Sequence, residues 1–197
     1  MITDRDRDII NFVNSIGFAS IKNISDMFFT DCRYGYDLAR KRLKKIYECG
    51  RYIKKFINVE TNEIVYIPID SKVKNVSVHS MRVLEYVCKL KGLGCDITEV
   101  EFEPVFGSIK PDAYISFKFN GYIYFELLEI QLRHDYVNIS KFKKEDTINA
   151  ILDRTNDVYP KLVIVQDTKK DYNKDNDSDF EIVQLDLSMN DIAKVLM

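Results

Sequence analysis

Two groups of residues in this chain carry charge in patterns that could do chemistry. The first is acidic. Asp112 follows Pro111 at the start of one predicted strand, and Glu129 and Gln131 lie two apart on the next. Side chains alternate along a strand, so Glu129 and Gln131 share a face with Ile123, Phe125 and Leu127. A carboxylate on an otherwise apolar face is costly unless it is paired or binds a cation. Glu126 falls on the opposite face with Tyr122 and Tyr124, and Glu85, on the preceding predicted helix, is a further acid. The second group is basic and lies in residues 38–56. Arg40, Lys41, Lys44 and Lys45 fall largely off an apolar stripe of Leu38, Ala39, Leu43, Ile46 and Tyr47. A cationic helix docked on a small core is a common instrument for entering a DNA major groove.

The elements that must position these groups are legible from periodicity. Thr3 with Asp6 resembles a capping box opening a first helix, with Ile9, Ile10 and Val13 facing inward and an end near residues 16–17. Ser20 can cap a second helix, residues 21–29, and Phe18 and Ala19 read as a connector. A polar turn over residues 30–35 leads to the basic helix, residues 36–49, which Gly50 stops in a left-handed conformation. Residues 52–58 and 64–67 read as a hairpin turning at Glu60–Glu63. Residues 68–76 read as a linker. After it come a helix (79–91), a strand (97–102), a loop (103–110) and two strands (112–119 and 122–132) joined at Asn120-Gly121, a strong hairpin signal. A helix at 138–153, a buried strand at 161–166, a polar repetitive stretch at 169–179, a strand at 180–185 and a helix at 189–196 capped by Ser188 complete the pattern.

The balance of 29 basic against 31 acidic residues gives a net charge of −2, with no global polycationic signature. Basic residues are in excess through about the first seventy-five positions and acidic ones beyond, as for a nucleic-acid-facing module joined to an acidic one. Cys32, Cys49, Cys88 and Cys95 form no CxxC pair. With only His79 and His134, zinc-finger spacing is absent and reduced thiols are expected. The two histidines are too isolated for a histidine-bulky-histidine relaxase, and His134 reads as a polar loop residue. No GxxxxGK[ST] loop and no GxSxG elbow exists, and no Arg/His/Tyr recombinase constellation is found. The opening MITDRDRD does not read as a signal peptide, and no apolar run approaches the ~20 residues of a membrane span, so a cytoplasmic location away from membranes is expected.

Helix, helix, basic helix and hairpin within about seventy residues resemble a winged helix-turn-helix. Pro111-Asp112…Glu129-Ile130-Gln131, within an order α-β-β-β-α-β over residues 79–166, resembles the PD-(D/E)XK nuclease core. That resemblance implies a divalent cation, magnesium or manganese, held by Asp112 and Glu129, with Gln131 at the position of the lysine that orients the attacking water. Gln131 supplies no charge there, and Lys141 or Lys143 on the following helix are substitute sources of it. The runs ITDRDRDIINFV, IKNISDMFF, ARKRLKKIYECGRYIKKF and NEIVYIP, with the later PDAYISF and YFELLEIQL, resemble the replication-relaxation family of plasmids and other mobile elements over residues 2–145. The resemblance implies an α+β protein with a winged-helix domain at residues 1–70 and a mixed α/β nuclease-like domain, often degenerate, at residues 77–197. It also implies a role in replication initiation or DNA relaxation. Double-stranded DNA is the expected partner, contacted by Arg33, Arg40, Lys41, Lys44, Lys45, Lys54 and Lys55, with no cofactor required for that binding. A homodimer and replication or transfer proteins are further expected partners. A metal-dependent nuclease using Asp112 and Glu129, and a protein-interaction adaptor, are the alternatives.

Overall fold

Thr3 opens α1 (Asp4–Ile16) through the expected reciprocal cap. Its hydroxyl accepts from the Asp6 amide at 3.4 Å, and the Asp6 carboxylate accepts from the Thr3 amide at 2.8 Å. Gly17, at φ +93°, ends the helix as only glycine does cheaply. This computed structural model describes residues 2–132, 136–174 and 180–197, so His134 and residues 175–179 of the polar stretch lie outside the described residues. Ala19–Ser20 form a short strand, β1, where the sequence suggests only a connector. Ser20 then caps α2 (Ile21–Phe28) in a second reciprocal box with Asn23.

The turn into α3 (Gly35–Glu48) is tight. A Cβ on Gly35 would stand 2.7 Å from the Phe29 carbonyl oxygen, so this approach of α2 and α3 excludes any larger residue. Ala39, Leu43 and Ile46 are the inward face of α3, and Gly50, at φ +66°, stops it. The hairpin strands β2 (Ile53–Ile57) and β3 (Ile64–Pro68) follow, and β1 adds to β3, giving an antiparallel sheet of order β1-β3-β2. Ile9, Val13, Ile24, Leu43, Ile46, Ile53, Val65 and Ile67 are all buried, each contributing about 1.5–3 kcal/mol of apolar burial.

The chain divides into two compact units, residues 1–92 and 93–197. The helix expected to open the second part, α4 (Val78–Gly92), belongs to the first. It packs on α2, where the buried Cys88 thiol donates to the Asn23 carbonyl at 3.7 Å. The apolar residues of α4 (Val83, Leu84, Val87 and Leu90) are evident in the sequence, but periodicity cannot say which element covers them.

The second unit is a five-stranded mixed sheet of order β4-β5-β6-β7-β8. Strands β4 (Asp96–Phe102), β5 (Ala113–Phe119) and β6 (Tyr122–Gln131) are antiparallel, while β7 (Lys161–Gln166) and β8 (Ile182–Asp186) run parallel to β6. Asn120 and Gly121 both take positive φ, +49° and +85°, as a two-residue turn matched to strand twist requires. The expected helix at 138–153 is a single 3-10 turn (Ile139–Lys141) followed by α5 (Glu145–Thr155). Lys143 and Lys144 lie between the two, and no side chain caps α5 at Lys144. The last helix is a 3-10 segment, Ile192–Leu196, after Ser188 bonds back to Asp186 instead of capping. Leu127, Leu162, Ile164 and Ile182 from the sheet meet Phe142, Ile151 and Phe180 in one core. Tyr172, within the stretch read as polar and repetitive, is also in it, at 1% exposure. No helix among the described residues is long and apolar enough to cross a membrane.

Candidate functional sites

The acidic site lies at one end of β6. The β5–β6 register pairs Ala113 with Leu128, which carries Asp112 to the level of Glu129. Asp112 lies just outside β5, and its Oδ2 accepts from the Ile130 amide at 2.7 Å. That bond fixes the carboxylate against β6. Burial, then the charge of Asp112, push the Glu129 carboxyl up from an ordinary 4.5 to about 8, and Lys141 partly offsets them. The structure therefore brings Asp112, Glu129 and Lys141 into one electrostatic neighbourhood. Lys141 reaches it from the 3-10 turn, not from a long helix.

Gln131 is 8% exposed, and its Oε1 has no hydrogen-bond partner among the described residues. The parallel register places Gln131 beside Gln166 and Ile164 beside Gln184, so the three glutamines and Glu129 share a face at the carboxyl ends of β6, β7 and β8. Ligands of open α/β sheets lie characteristically outside such strand ends. Gln166 and Gln184 are missed by sequence reasoning, because only the strand register reveals their common face. Their amides are committed to the loop after β7. Gln166 Nε2 donates to the Lys170 carbonyl at 2.9 Å, and Gln184 Oε1 accepts from the Tyr172 amide at 2.8 Å. This holds Tyr172, whose hydroxyl accepts from the Val137 amide at 2.9 Å and is pushed up by burial, with a smaller contribution from the charge of Glu129.

Two carboxylates and a buried amide oxygen lacking a partner among the described residues are hard oxygen donors, a set that suits magnesium or manganese. No group of three or more His, Cys, Asp or Glu side chains is placed to hold a metal ion among the described residues, so such an ion would rely on Asp112, Glu129, Gln131 and its substrate. Glu85 is not part of this arrangement. It pairs with Arg82 at 2.7 Å and Lys22 at 3.5 Å within the first unit.

The basic site is less uniformly cationic than the sequence suggests. Arg40, Lys41 and Lys44 are exposed on α3, and Lys45 is partly covered. Two acids interrupt the same helix. Asp37 pairs with Arg40 at 3.2 Å and Glu48 with Lys44 at 3.7 Å. Such exposed i,i+3 and i,i+4 pairs hold little energy and yield readily to phosphate. Arg42 is turned the other way. Its Nε donates to Asp6 Oδ1 at 2.7 Å and its Nη2 to Thr3 Oγ1 at 2.7 Å, tying α3 to the start of α1.

Arg33 is exposed in the turn before α3, with its guanidinium 5.5 Å from the centre of the Tyr34 ring. Lys54 and Lys55 are consecutive on β2 and so face opposite ways. Lys54 is partly covered, and Lys55 lies exposed 4.6 Å from the centre of the Tyr47 ring. The hairpin tip carries Glu60 and Glu63 and no cation. Leu38 and Tyr47, assigned above to the buried stripe, are 36% and 37% exposed, because only Ala39, Leu43 and Ile46 reach the centre of this small core. Compared with known proteins, the chain matches no family model, no curated protein and no solved structure.

Proposed function

We propose that the first unit is a winged-helix module that binds double-stranded DNA in a sequence-selective way, with α3 as its reading helix. The observation that carries this is the placement of Arg40, Lys41 and Lys44 on the open side of α3, while Ala39, Leu43 and Ile46 are buried on its other side and the helix packs chiefly on α2. The first 92 residues carry 17 Lys and Arg against 11 Asp and Glu, and the remainder 12 against 20, so the charge needed to approach a phosphate backbone is concentrated in this unit. Phosphate contacts from Arg33, Lys44, Lys45 and Lys55 set position, and Arg40 and Lys41 read base edges. Replication initiation or DNA processing on a plasmid, phage or conjugative element is the setting that the replication-relaxation resemblance supports.

Lys44→Glu with Lys45→Glu lowers duplex affinity at least about tenfold at moderate salt and flattens the dependence of affinity on salt concentration. Mobility shift at two salt concentrations measures both, and unchanged binding refutes the assignment.

A second reading, divalent-metal-dependent phosphodiester cleavage by the second unit, is favoured by one specific observation. Glu129 is held near Asp112 with its carboxyl raised to about 8, beside a buried Gln131 oxygen lacking a partner among the described residues. A divalent cation would relieve that arrangement and would polarise a phosphate and its attacking water. Asp112, Glu129 and Gln131 would hold it, and Lys141 would add positive charge at the developing anion. Manganese is expected to raise the thermal midpoint of the native chain at pH 8 by several degrees, and to leave that of Asp112→Asn unmoved. Equal shifts in both proteins exclude this site.

A further inference from the structure

The surface of α3 that borders β2 is aromatic as well as cationic. Tyr34 and Tyr36 are 64% and 54% exposed at the amino end of α3, and Tyr47 is 37% exposed three turns later. Tyr36, Arg40 and Tyr47 recur at spacings of four and seven, so they lie on one flank, spanning about 16 Å along the axis. Lys55 lies against the Tyr47 ring from β2, and Arg33 against Tyr34. The helix contacts β2, and Lys55 of that strand lies against the Tyr47 ring, which places this flank toward the hairpin. A helix that only reads duplex has little use for several exposed rings. Alternating rings and cations are the composition of surfaces that stack unpaired bases while neutralising their phosphates.

We infer that this flank binds unpaired bases, so that the preferred ligand is DNA at a junction between duplex and single strand, with α3 on the duplex and the Tyr36–Tyr47 flank on the emerging strand. The inference rests on the duplex-binding reading above and extends it to the form of the DNA. DNA rather than RNA is indicated because α3 fits the major groove of B-form duplex, whereas that of A-form RNA is too narrow for side chains to read.

The test compares binding of the full chain to a blunt duplex and to the same duplex carrying a single-stranded thymidine tail. A 2-aminopurine at the first unpaired position reports stacking. The tailed DNA is expected to bind at least about tenfold more tightly, the equivalent of one stacked base, with quenched 2-aminopurine fluorescence. Tyr36→Ala with Tyr47→Ala brings the ratio of the two affinities towards one and restores the fluorescence, whereas Tyr36→Phe with Tyr47→Phe keeps both, since stacking needs the ring and not the hydroxyl. Equal affinity of the native chain for the two DNAs overturns this inference and leaves the duplex reading standing. Absence of binding to both overturns the duplex reading and this inference with it. Because Tyr36 is more than half exposed, Tyr36→Ala alone keeps the fold and must lower the ratio by itself.

Discussion

In metal-free buffer, the unfolding free energy of the native chain falls from pH 5 to pH 9 through one partly buried acid, and Glu129→Gln abolishes that part of the fall. The Glu129 carboxyl titrates at about 8 in the folded chain, against 4.5 for a free side chain, because burial and then the neighbouring Asp112 disfavour its charge. Between those two values the folded state holds a proton that the unfolded state has released. Stability from this group is therefore complete below the unfolded value and is lost as pH rises through the folded one. The loss amounts to roughly 3–5 kcal/mol by pH 9. Glutamine has the shape of the neutral acid and never ionises. The variant should match the native chain at pH 4 and exceed it by several kcal/mol at pH 9, as read by denaturant unfolding at each pH. Identical slopes for the two proteins would mean that Glu129 is solvated and that the acidic site does not exist in this form. Manganese added at pH 9 should recover stability in the native chain and not in the variant.

The second large effect is in the first unit, at Asp6. Its side chain is fully buried, yet it carries charge. Burial pushes its carboxyl up, but hydrogen bonds from Arg42 and Thr3, together with the guanidinium charge, outweigh this and hold it below its ordinary value. Removing Arg42 leaves a buried carboxylate with half its partners, which costs about 3–5 kcal/mol. Arg42→Met should therefore destabilise the chain strongly. Asp6→Asn combined with Arg42→Met should recover much of the loss, because no charge then remains in the site. A denaturation cycle over the two singles and the double measures the coupling, and strict additivity would show that the pair is not a unit. Because the Asp6 value is lowered, its contribution is present above the unfolded value and is lost as pH falls through the folded one. Asp6 thus limits stability on the acid side and Glu129 on the alkaline side.

Local signals in the amino-acid sequence determined much of this molecule. Thr3 with Asp6, Ser20, Gly17, Gly50 and Asn120-Gly121 each act over a few residues, through a cap or a turn that needs no distant partner. The buried apolar residues of α1 and the hydrophobic strand β7 follow from periodicity alone, and the bounds of most elements agree with that reading within a residue or two.

Tertiary structure decided whatever depends on which surfaces meet. The strand β1 exists only because β3 lies beside it. The helix α4 has an apolar face that suits either unit, and its packing on α2 assigns it. Arg42 belongs to the basic run by sequence and to α1 by contact. Asp37 and Glu48 temper α3 because one helical turn brings them to Arg40 and Lys44. In the second unit, Asp112 and Glu129 were visible as residue types. Lys141 and Lys143 were both candidates by sequence, and the 3-10 turn brings Lys141 to Glu129, while Gln166, Gln184 and Tyr172 joined the neighbourhood only through a parallel register and a loop held by side-chain amides. Such placements are set by pairings between residues far apart in the chain, to which a repeat period of two or 3.6 residues is blind.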